Sequence, residues 1–152
     1  MKKYEQTDND LKTVNEAAFV YGYKSFDDRG IYRLIDIANK GLDFKTFSHI
    51  FNRFSFTLQE WADFLHISSK TLSRYQNDGK SFDTLQSERI LQIQMLHSRG
   101  EEVFGNQENF ASWLNTQNIA LGNVIPKTLL KTTFGIQLLM DELGRIEHGV
   151  LA

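Results

Sequence analysis

Residues 57–76, TLQEWADFLHISSKTLSRYQ, constrain the fold more than any other stretch of the chain. Thr57 followed three residues later by Glu60 is the pairing of a capping box, which begins a helix. Apolar residues then recur at helical spacing at Leu58, Trp61, Ala62 and Leu65. The small Ala62 stands where a second helix would have to cross closely. This stretch therefore predicts a short helix that packs against the helix following it.

The residues between these two helices predict a tight turn. His66 occupies the turn position where φ is often positive and Gly is common. A histidine tolerates that conformation better than a β-branched residue does. Ser68 is then placed to cap a second helix, in which Leu72 and Tyr75 point back at the first. The pattern predicts a helix-turn-helix.

The outward side of the second helix combines short hydroxyls with two cations. We predict that its DNA-binding residues are Ser68, Ser69, Lys70, Thr71, Ser73 and Arg74. Hydroxyls and backbone amides at a helix N-terminus bind phosphates, and lysine or arginine reaches phosphates or guanine edges in the major groove. The alternative interpretation is a helical hairpin whose outer face is only solvated. The agreement of the apolar positions, the small residue and the turn favours DNA binding.

The charge balance is a mild argument against a nucleic-acid partner. The chain carries a net charge of −2 and has a pI of about 6.1, whereas DNA-binding domains often have a basic excess. Between residues 68 and 80, however, three cations (Lys70, Arg74 and Lys80) stand against the single acid Asp78. A local positive face of this kind predicts weak binding by a monomer and a gain from dimeric pairing of half-sites.

The rest of the chain also predicts helices, so the fold class is all-α. Apolar periodicity and capping residues predict helices over residues 14–23, 31–40, 43–53, 84–104, 106–115 and 133–148, with a turn over 126–131 that begins at Pro126. The long helix could bridge two modules or pair with its own copy. Asp141 and Arg145 are spaced as a favourable i, i+4 ion pair.

Motifs for catalysis, metal binding and membrane insertion are missing from the sequence. There is no cysteine, the four histidines are scattered without the H-E-x-x-H spacing, and no phosphate-binding glycine loop or nucleophile elbow occurs. We therefore predict no enzyme activity, no cofactor, no catalytic residue and no metal. The absence of a signal peptide, and of any run of roughly 20 apolar residues, predicts a cytoplasmic protein without a membrane partner.

The last fifty residues carry a long ordered pattern. It consists of Phe104-Gly105, Phe110, Trp113-Leu114, Asn118, Ala120-Leu121-Gly122, Pro126, Leu129-Leu130, Thr132, Gly135, Leu143 and Arg145-Ile146-Glu147-His148-Gly149. This pattern resembles the C-terminal toxin-binding domain of Xre/MbcA/ParS-type antitoxins, and the preceding part resembles the Xre-like helix-turn-helix domain. Gln117 and Asn123 depart from the family, which usually has proline and glycine there. We divide the chain into an N-terminal extension (1–24), a helix-turn-helix domain (25–92) and a small helical toxin-binding domain (93–152).

The resemblance implies a function. Such proteins are antitoxins of type II toxin–antitoxin systems, and their usual partner is a RES-domain toxin that degrades NAD⁺. The antitoxin covers the toxin's active site, and the complex, containing an antitoxin homodimer, binds operator DNA and represses its own operon. Carried onto this chain, the resemblance places toxin binding at the end of the last helix and in the tail, at Arg145, Glu147, His148, Gly149, Val150, Leu151 and Ala152.

Two alternatives stand beside this expectation. A tail with Arg145, Glu147 and His148 near its tip could enter a polar cleft built for the phosphates and ribose of a dinucleotide, but the same residues also fit the exposed face of an amphipathic helix. At the level of function, the alternative is a stand-alone helix-turn-helix transcriptional regulator whose C-terminal domain only dimerises.

Overall fold

The computed structural model describes residues 28–149, and every element of that part of the chain is a helix. The α-helices are α1 (Asp28–Lys40), α2 (Phe44–Arg53), α3 (Leu58–Phe64), α4 (Ser69–Asp78), α5 (Thr84–Phe104), α6 (Gln107–Asn115) and α7 (Thr133–Glu147), with two 3₁₀ turns, η1 (Ile119–Leu121) and η2 (Pro126–Lys131), before the last of them. The predicted all-α class is confirmed. The helix predicted over residues 14–23 lies outside the described residues.

An aromatic cluster forms the core of the N-terminal half. Asp43 caps α2 by accepting a 2.7 Å hydrogen bond from the Thr46 backbone N–H. This start of the helix directs Phe47 inward, where its ring meets the ring of Trp61 edge-on at a centroid distance of 5.2 Å. Both side chains are completely buried. Such pairs contribute about 0.5–1.5 kcal/mol beyond the burial of their apolar area, so this contact fixes α2 against α3.

The long helix α5 is the common support of both halves. Asp83 and Gln86 form its capping box, so Asp83 is the N-cap. The buried residues of α5 lie between Ser87 and Gly100, on the sides that pack against α1, α6 and α7. Of the two roles predicted for this helix, the structure shows the bridge between modules within one chain.

Close packing at two glycines positions the C-terminal elements. A β-carbon on Gly100 would lie 2.3 Å from the ring of Phe110, so the bare backbone of α5 lets α6 approach. A β-carbon on Gly135 would lie 1.9 Å from the carbonyl oxygen of Leu129 in η2. The hydroxyl of Thr132 caps α7 by accepting a 3.0 Å hydrogen bond from the Gly135 N–H. These contacts hold α6 against α5 and η2 against α7.

Three apolar residues that stand at helical spacing in the sequence, Ile35, Leu85 and Ile146, are exposed, the last of them to 37%. Ile35 is 47% exposed, because α1 turns Ile37 and Ala38 toward the core instead. Leu85 is 77% exposed, because it lies in the first turn of α5, ahead of the buried part of that helix. Among residues 28–149, no helix is both long enough and apolar enough to cross a bilayer.

Candidate functional site

The helix-turn-helix predicted from residues 57–76 is present, with the predicted turn. The capping box of Thr57 and Glu60 is formed, and His66 has a φ of +57°. The backbone N–H of Ile67 donates to the carbonyl of Ala62 at 3.0 Å, which closes the turn. Leu72 on α4 is fully buried, as is Ala62 on α3. The small side chain of Ala62 therefore allows α3 and α4 to cross closely, as predicted from the sequence.

The N-terminus of α4 is held by the hydroxyl of Ser68. This oxygen accepts from the Thr71 N–H at 3.0 Å, and the Ser68 hydroxyl donates to the Thr71 side-chain oxygen at 2.9 Å. Both hydroxyls therefore serve the cap as well as facing outward. Ser69 and Ser73 are half-buried.

The two cations of α4 face solvent one helical turn apart. Lys70 and Arg74 are both exposed, and no carboxylate in the described part of the chain pairs with either. Their charges are therefore available to an anionic partner. The structure brings the six predicted DNA-binding residues, Ser68 to Thr71 with Ser73 and Arg74, onto the first turns of one helix.

A third cation is fixed at the far end of α4. Gly79 adopts a left-handed conformation with φ of +61° and ends the helix. The Lys80 ammonium then lies 4.8 Å from the centroid of the Tyr75 ring, a cation–π contact. Tyr75 in turn packs against Phe82 at a centroid distance of 5.5 Å. The third cation of the segment between residues 68 and 80 thus lies just beyond the end of α4.

The carboxyl end of α7 carries the first residues predicted to bind a toxin. Arg145 donates from Nε to Oε2 of Glu142 at 2.8 Å, and a second guanidinium nitrogen lies 2.6 Å from the same oxygen. The predicted Asp141–Arg145 pair is therefore wrong. Glu142 is only 5% exposed, and charge attraction is less screened there than at the surface. Asp141 instead accepts a hydrogen bond from Gln137.

Glu147 has a partner inside the molecule. It accepts hydrogen bonds from both terminal nitrogens of Arg99, one of them at 3.2 Å and the other shorter. Arg99 is 4% exposed and also lies 3.7 Å from Glu102. Burial raises the pKa of Glu102, although the Arg99 charge opposes this. In this structure Glu147 therefore anchors the tip of α7 to α5 rather than standing free.

The residues beyond Glu147 leave the helix. His148 is exposed and caps α7 through its backbone N–H, which donates to the Gly144 carbonyl at 3.1 Å. Gly149 has a φ of +67°, which suits glycine. Val150, Leu151 and Ala152 lie outside the described residues. Of the seven predicted residues, Arg145, Glu147 and His148 thus have side chains at the surface of the described part, and Glu147 is at the same time paired with Arg99.

Besides Ile146, two further exposed apolar residues lie on α7, and they were not identified from the sequence. Phe134 is 91% exposed and Leu138 is 41% exposed. They stand at i and i+4, and Arg145 at i+11 shares their face of the helix. The buried stripe of α7 contains Ile136, Leu139 and Leu143. Phe134 stands outside that stripe in the sequence, and this position could have identified it as exposed. A large exposed apolar residue indicates a surface that a partner could cover.

No group of histidine and carboxylate side chains within residues 28–149 is arranged to hold a metal ion. The only titratable group there with a strongly displaced pKa is His97, which is buried between Phe54 and Phe110 rather than open to a cleft.

Two family models match successive parts of the chain. Residues 33–95 match the antitoxin Xre-like helix-turn-helix domain, and residues 99–149 match the antitoxin Xre/MbcA/ParS C-terminal toxin-binding domain. The gap between the two matched ranges falls inside α5. Both parts of the resemblance stated from the sequence are confirmed.

Two curated relatives carry the name Antitoxin Xre. The protein of Yersinia enterocolitica is 32% identical over 87 residues, which cover 57% of this chain and 59% of that protein. The match thus spans less than two thirds of the Yersinia protein's length. The protein of Photorhabdus laumondii is 27% identical over 117 residues, which cover 76% of this chain and 79% of that protein.

Proposed function

This chain belongs to the Xre family of antitoxins, which is not an enzyme family, and from this premise we propose that it neutralises a RES-domain toxin. In this proposal the chain covers the active site of a toxin that degrades NAD⁺. The toxin–antitoxin complex then binds operator DNA in the cytoplasm and represses its own operon. The matched toxin-binding domain supports a toxin as partner, and the helix-turn-helix supports DNA.

The exposed face of α7 supports the toxin side of the proposal. Phe134 and Leu138 supply apolar contact area, and Arg145 and His148 supply charge and hydrogen-bonding groups toward the tip. An apolar patch with a charged end fits a partner whose cleft has an apolar rim and anion-binding groups inside. Arg99 holds Glu147 and thereby fixes the helix end. We propose that Gly149, Val150, Leu151 and Ala152 continue from this end into the toxin's cleft.

The outer face of α4 supports the DNA side of the proposal. In a helix-turn-helix, the N-terminal residues of the second helix contact base edges while the first helix crosses the phosphate backbone. Lys70 and Arg74 are exposed on that second helix. Because the chain as a whole carries a net charge of −2, a single copy should bind weakly. We therefore propose that two copies in the complex bind paired half-sites.

One observation carries the proposal: the helix-turn-helix domain, with its exposed cationic helix α4, and the toxin-binding domain share one continuous helix, α5. In this proposal, one molecule holds two different partners at once. The stand-alone regulator remains the competing function, and it requires no toxin.

A co-expression experiment tests the toxin partner. The chain is expressed with the product of the adjacent gene, purified through a tag, and the cellular NAD⁺ level is measured. We expect co-purification and preserved NAD⁺, and we expect deletion of residues 149–152 to reduce both. A neighbour that does not co-purify, together with NAD⁺ unaffected by either protein, would favour the stand-alone regulator. Inhibition that survives the deletion would remove the tail from the toxin-binding surface.

Substitution of Arg74 tests DNA binding by α4. With DNA from upstream of the reading frame, Arg74→Ala should weaken binding by about 1–3 kcal/mol if the guanidinium reads a base. Arg33→Ala serves as the control, because Arg33 is an exposed cation on α1, which packs on α5. Unchanged affinity and an unchanged salt dependence for Arg74→Ala would exclude α4 as the DNA-binding helix.

A further inference from the structure

The turn η2 of the C-terminal domain lies along the first helix of the helix-turn-helix. The Lys127 ammonium is 2.5 Å from Oε1 of Glu60, in the first turn of α3. At the other end of α3, Nε2 of His66 donates to the Lys131 carbonyl at 2.6 Å. Two contacts separated by the length of α3 thus set both the position and the direction of η2.

Arg89 on α5 holds this arrangement in place through hydrogen bonds to main-chain carbonyls. Its guanidinium donates to the carbonyl of Phe64 at 3.3 Å, to the carbonyl of Leu130 at 3.4 Å and, more closely, to the carbonyl of Lys131. One side chain of α5 therefore joins the end of α3 to the end of η2. Because three carbonyls converge on one rigid planar cation, η2 has little freedom to move relative to α3.

The ion pair between Lys127 and Glu60 offsets a negative charge in the first turn of α3. A carboxylate in the first turn of this helix would repel a phosphate backbone that the helix crosses. Partial burial acts to raise the pKa of Glu60, but the bonds and charge from Lys127 and the Thr57 N–H outweigh it and lower the pKa overall. Glu60 is therefore ionised at neutral pH, and Lys127 neutralises it.

Lys131 adds a positive charge beside the turn. Its side chain is exposed, and no described carboxylate forms an ion pair with it. Its carbonyl is tied to His66, two residues before the Ser68 cap of α4. The cation is thus placed at the border between the helix-turn-helix and the toxin-binding domain.

We propose that the DNA-binding surface extends beyond the helix-turn-helix into η2, where Lys131 contacts a DNA phosphate and Lys127 shields the backbone from Glu60. The inference rests on the proposed function of α4. It assigns to the toxin-binding domain a direct part in holding DNA.

Salt-dependent binding of the full chain to DNA tests this extension. The probe is a fluorescent 20-base-pair duplex of mixed sequence, titrated at several salt concentrations from about 50 mM upward. Lys131→Ala should weaken binding about 3- to 10-fold and reduce the magnitude of the salt slope by about 1. Its fold should persist, because the main-chain carbonyl makes the contact with His66. Arg33→Ala should bind as the native chain does.

A double substitution tests the shielding role of Lys127. Lys127→Ala leaves Glu60 charged and should weaken binding, whereas Lys127→Ala combined with Glu60→Gln should restore most of the lost affinity. The glutamine can still accept the Thr57 N–H hydrogen bond of the capping box. A merely structural role for Lys127 would not be rescued by removing the opposing charge, so absence of rescue overturns this part of the inference.

Arg74→Ala separates failure of the inference from failure of the proposed function. Should Arg74→Ala weaken binding while Lys131→Ala retains native affinity and salt slope, the extension into η2 is overturned and α4 remains the DNA-binding helix. Should neither substitution alter binding, DNA binding by α4 fails, and the extension fails with it.

Discussion

His97 is a buried histidine in an aromatic setting. Its ring stacks on Phe54 at a centroid distance of 3.9 Å and meets Phe110 edge-on at 5.4 Å. Burial, with a smaller effect from the Arg53 charge, lowers the pKa of His97 from 6.5 to about 4. The carboxylate of Glu101, 3.2 Å from Nδ1, does not compensate. The folded protein therefore favours the neutral ring.

This burial predicts a loss of stability in acid. Between pH 6.5 and about 4 the unfolded chain binds a proton at His97 that the folded chain does not, so the free energy of unfolding falls as the pH falls through this window. The full effect is about 3 kcal/mol. Urea unfolding at pH 7.5 and at pH 4.5 should show that the free energy of unfolding falls more between the two pH values for the native chain than for His97→Phe. Equal losses would contradict the prediction.

Gly135 predicts a second effect at the scale of one residue. A methyl group there would run into the Leu129 backbone, which cannot rotate away as a side chain can, so Gly135→Ala should cost about 1–3 kcal/mol of stability. Gly144 lies in the same helix, and a β-carbon added there would meet no neighbouring atom within 4 Å. Gly144→Ala should therefore be neutral or stabilising, by up to about 1 kcal/mol. Urea unfolding of both variants checks this contrast, and a tolerated Gly135→Ala would contradict it.

At the scale of secondary-structure elements, the side chain of Arg89 connects three of them. It joins α5 to α3 and η2 through three carbonyls. Arg89→Met keeps much of the aliphatic length but removes the donors, so it should cost about 2 kcal/mol, as expected for hydrogen bonds to a charged group. Urea unfolding measures this cost. Lys45→Met is a suitable control, because Lys45 is exposed on α2, and it should change stability by less than about 0.5 kcal/mol.

The same elements show what could be predicted from sequence. The caps at Thr57 and Ser68 and the turn at His66 depend on residues within a few positions of one another, so local pattern was sufficient. The contact of Arg89 with Lys131 joins residues 42 positions apart, and no local pattern carries it.

The predicted toxin-binding surface shows the same limit. The position of Arg145 near the end of α7 followed from helical spacing, but its partner did not, because helical spacing allows both Asp141 and Glu142. Burial of Glu142 decided between them. The pairing of Glu147 with Arg99 links residues 48 positions apart and became visible only once α7 lay against α5.

At the scale of the whole molecule, the shared helix α5 predicts that both halves unfold together. The chain has two tryptophans, Trp61 in the helix-turn-helix and Trp113 in the toxin-binding domain. Trp61→Phe leaves a fluorescence signal from the C-terminal half, and Trp113→Phe leaves one from the N-terminal half. In each variant, the fluorescence transition in urea should coincide with the loss of helical circular dichroism. Separate transitions would show that the halves unfold independently.

The unbroken course of α5 also restricts where the chain can change in length. An α-helix turns by about 100° and rises about 1.5 Å per residue. One residue inserted between positions 95 and 99 would therefore rotate the rest of the chain by about a quarter turn around the axis of α5. The α7 surface would then face a different direction relative to α4. Insertions and deletions that keep both partners in place should accordingly fall in loops, and the interior of α5 should keep a constant residue count.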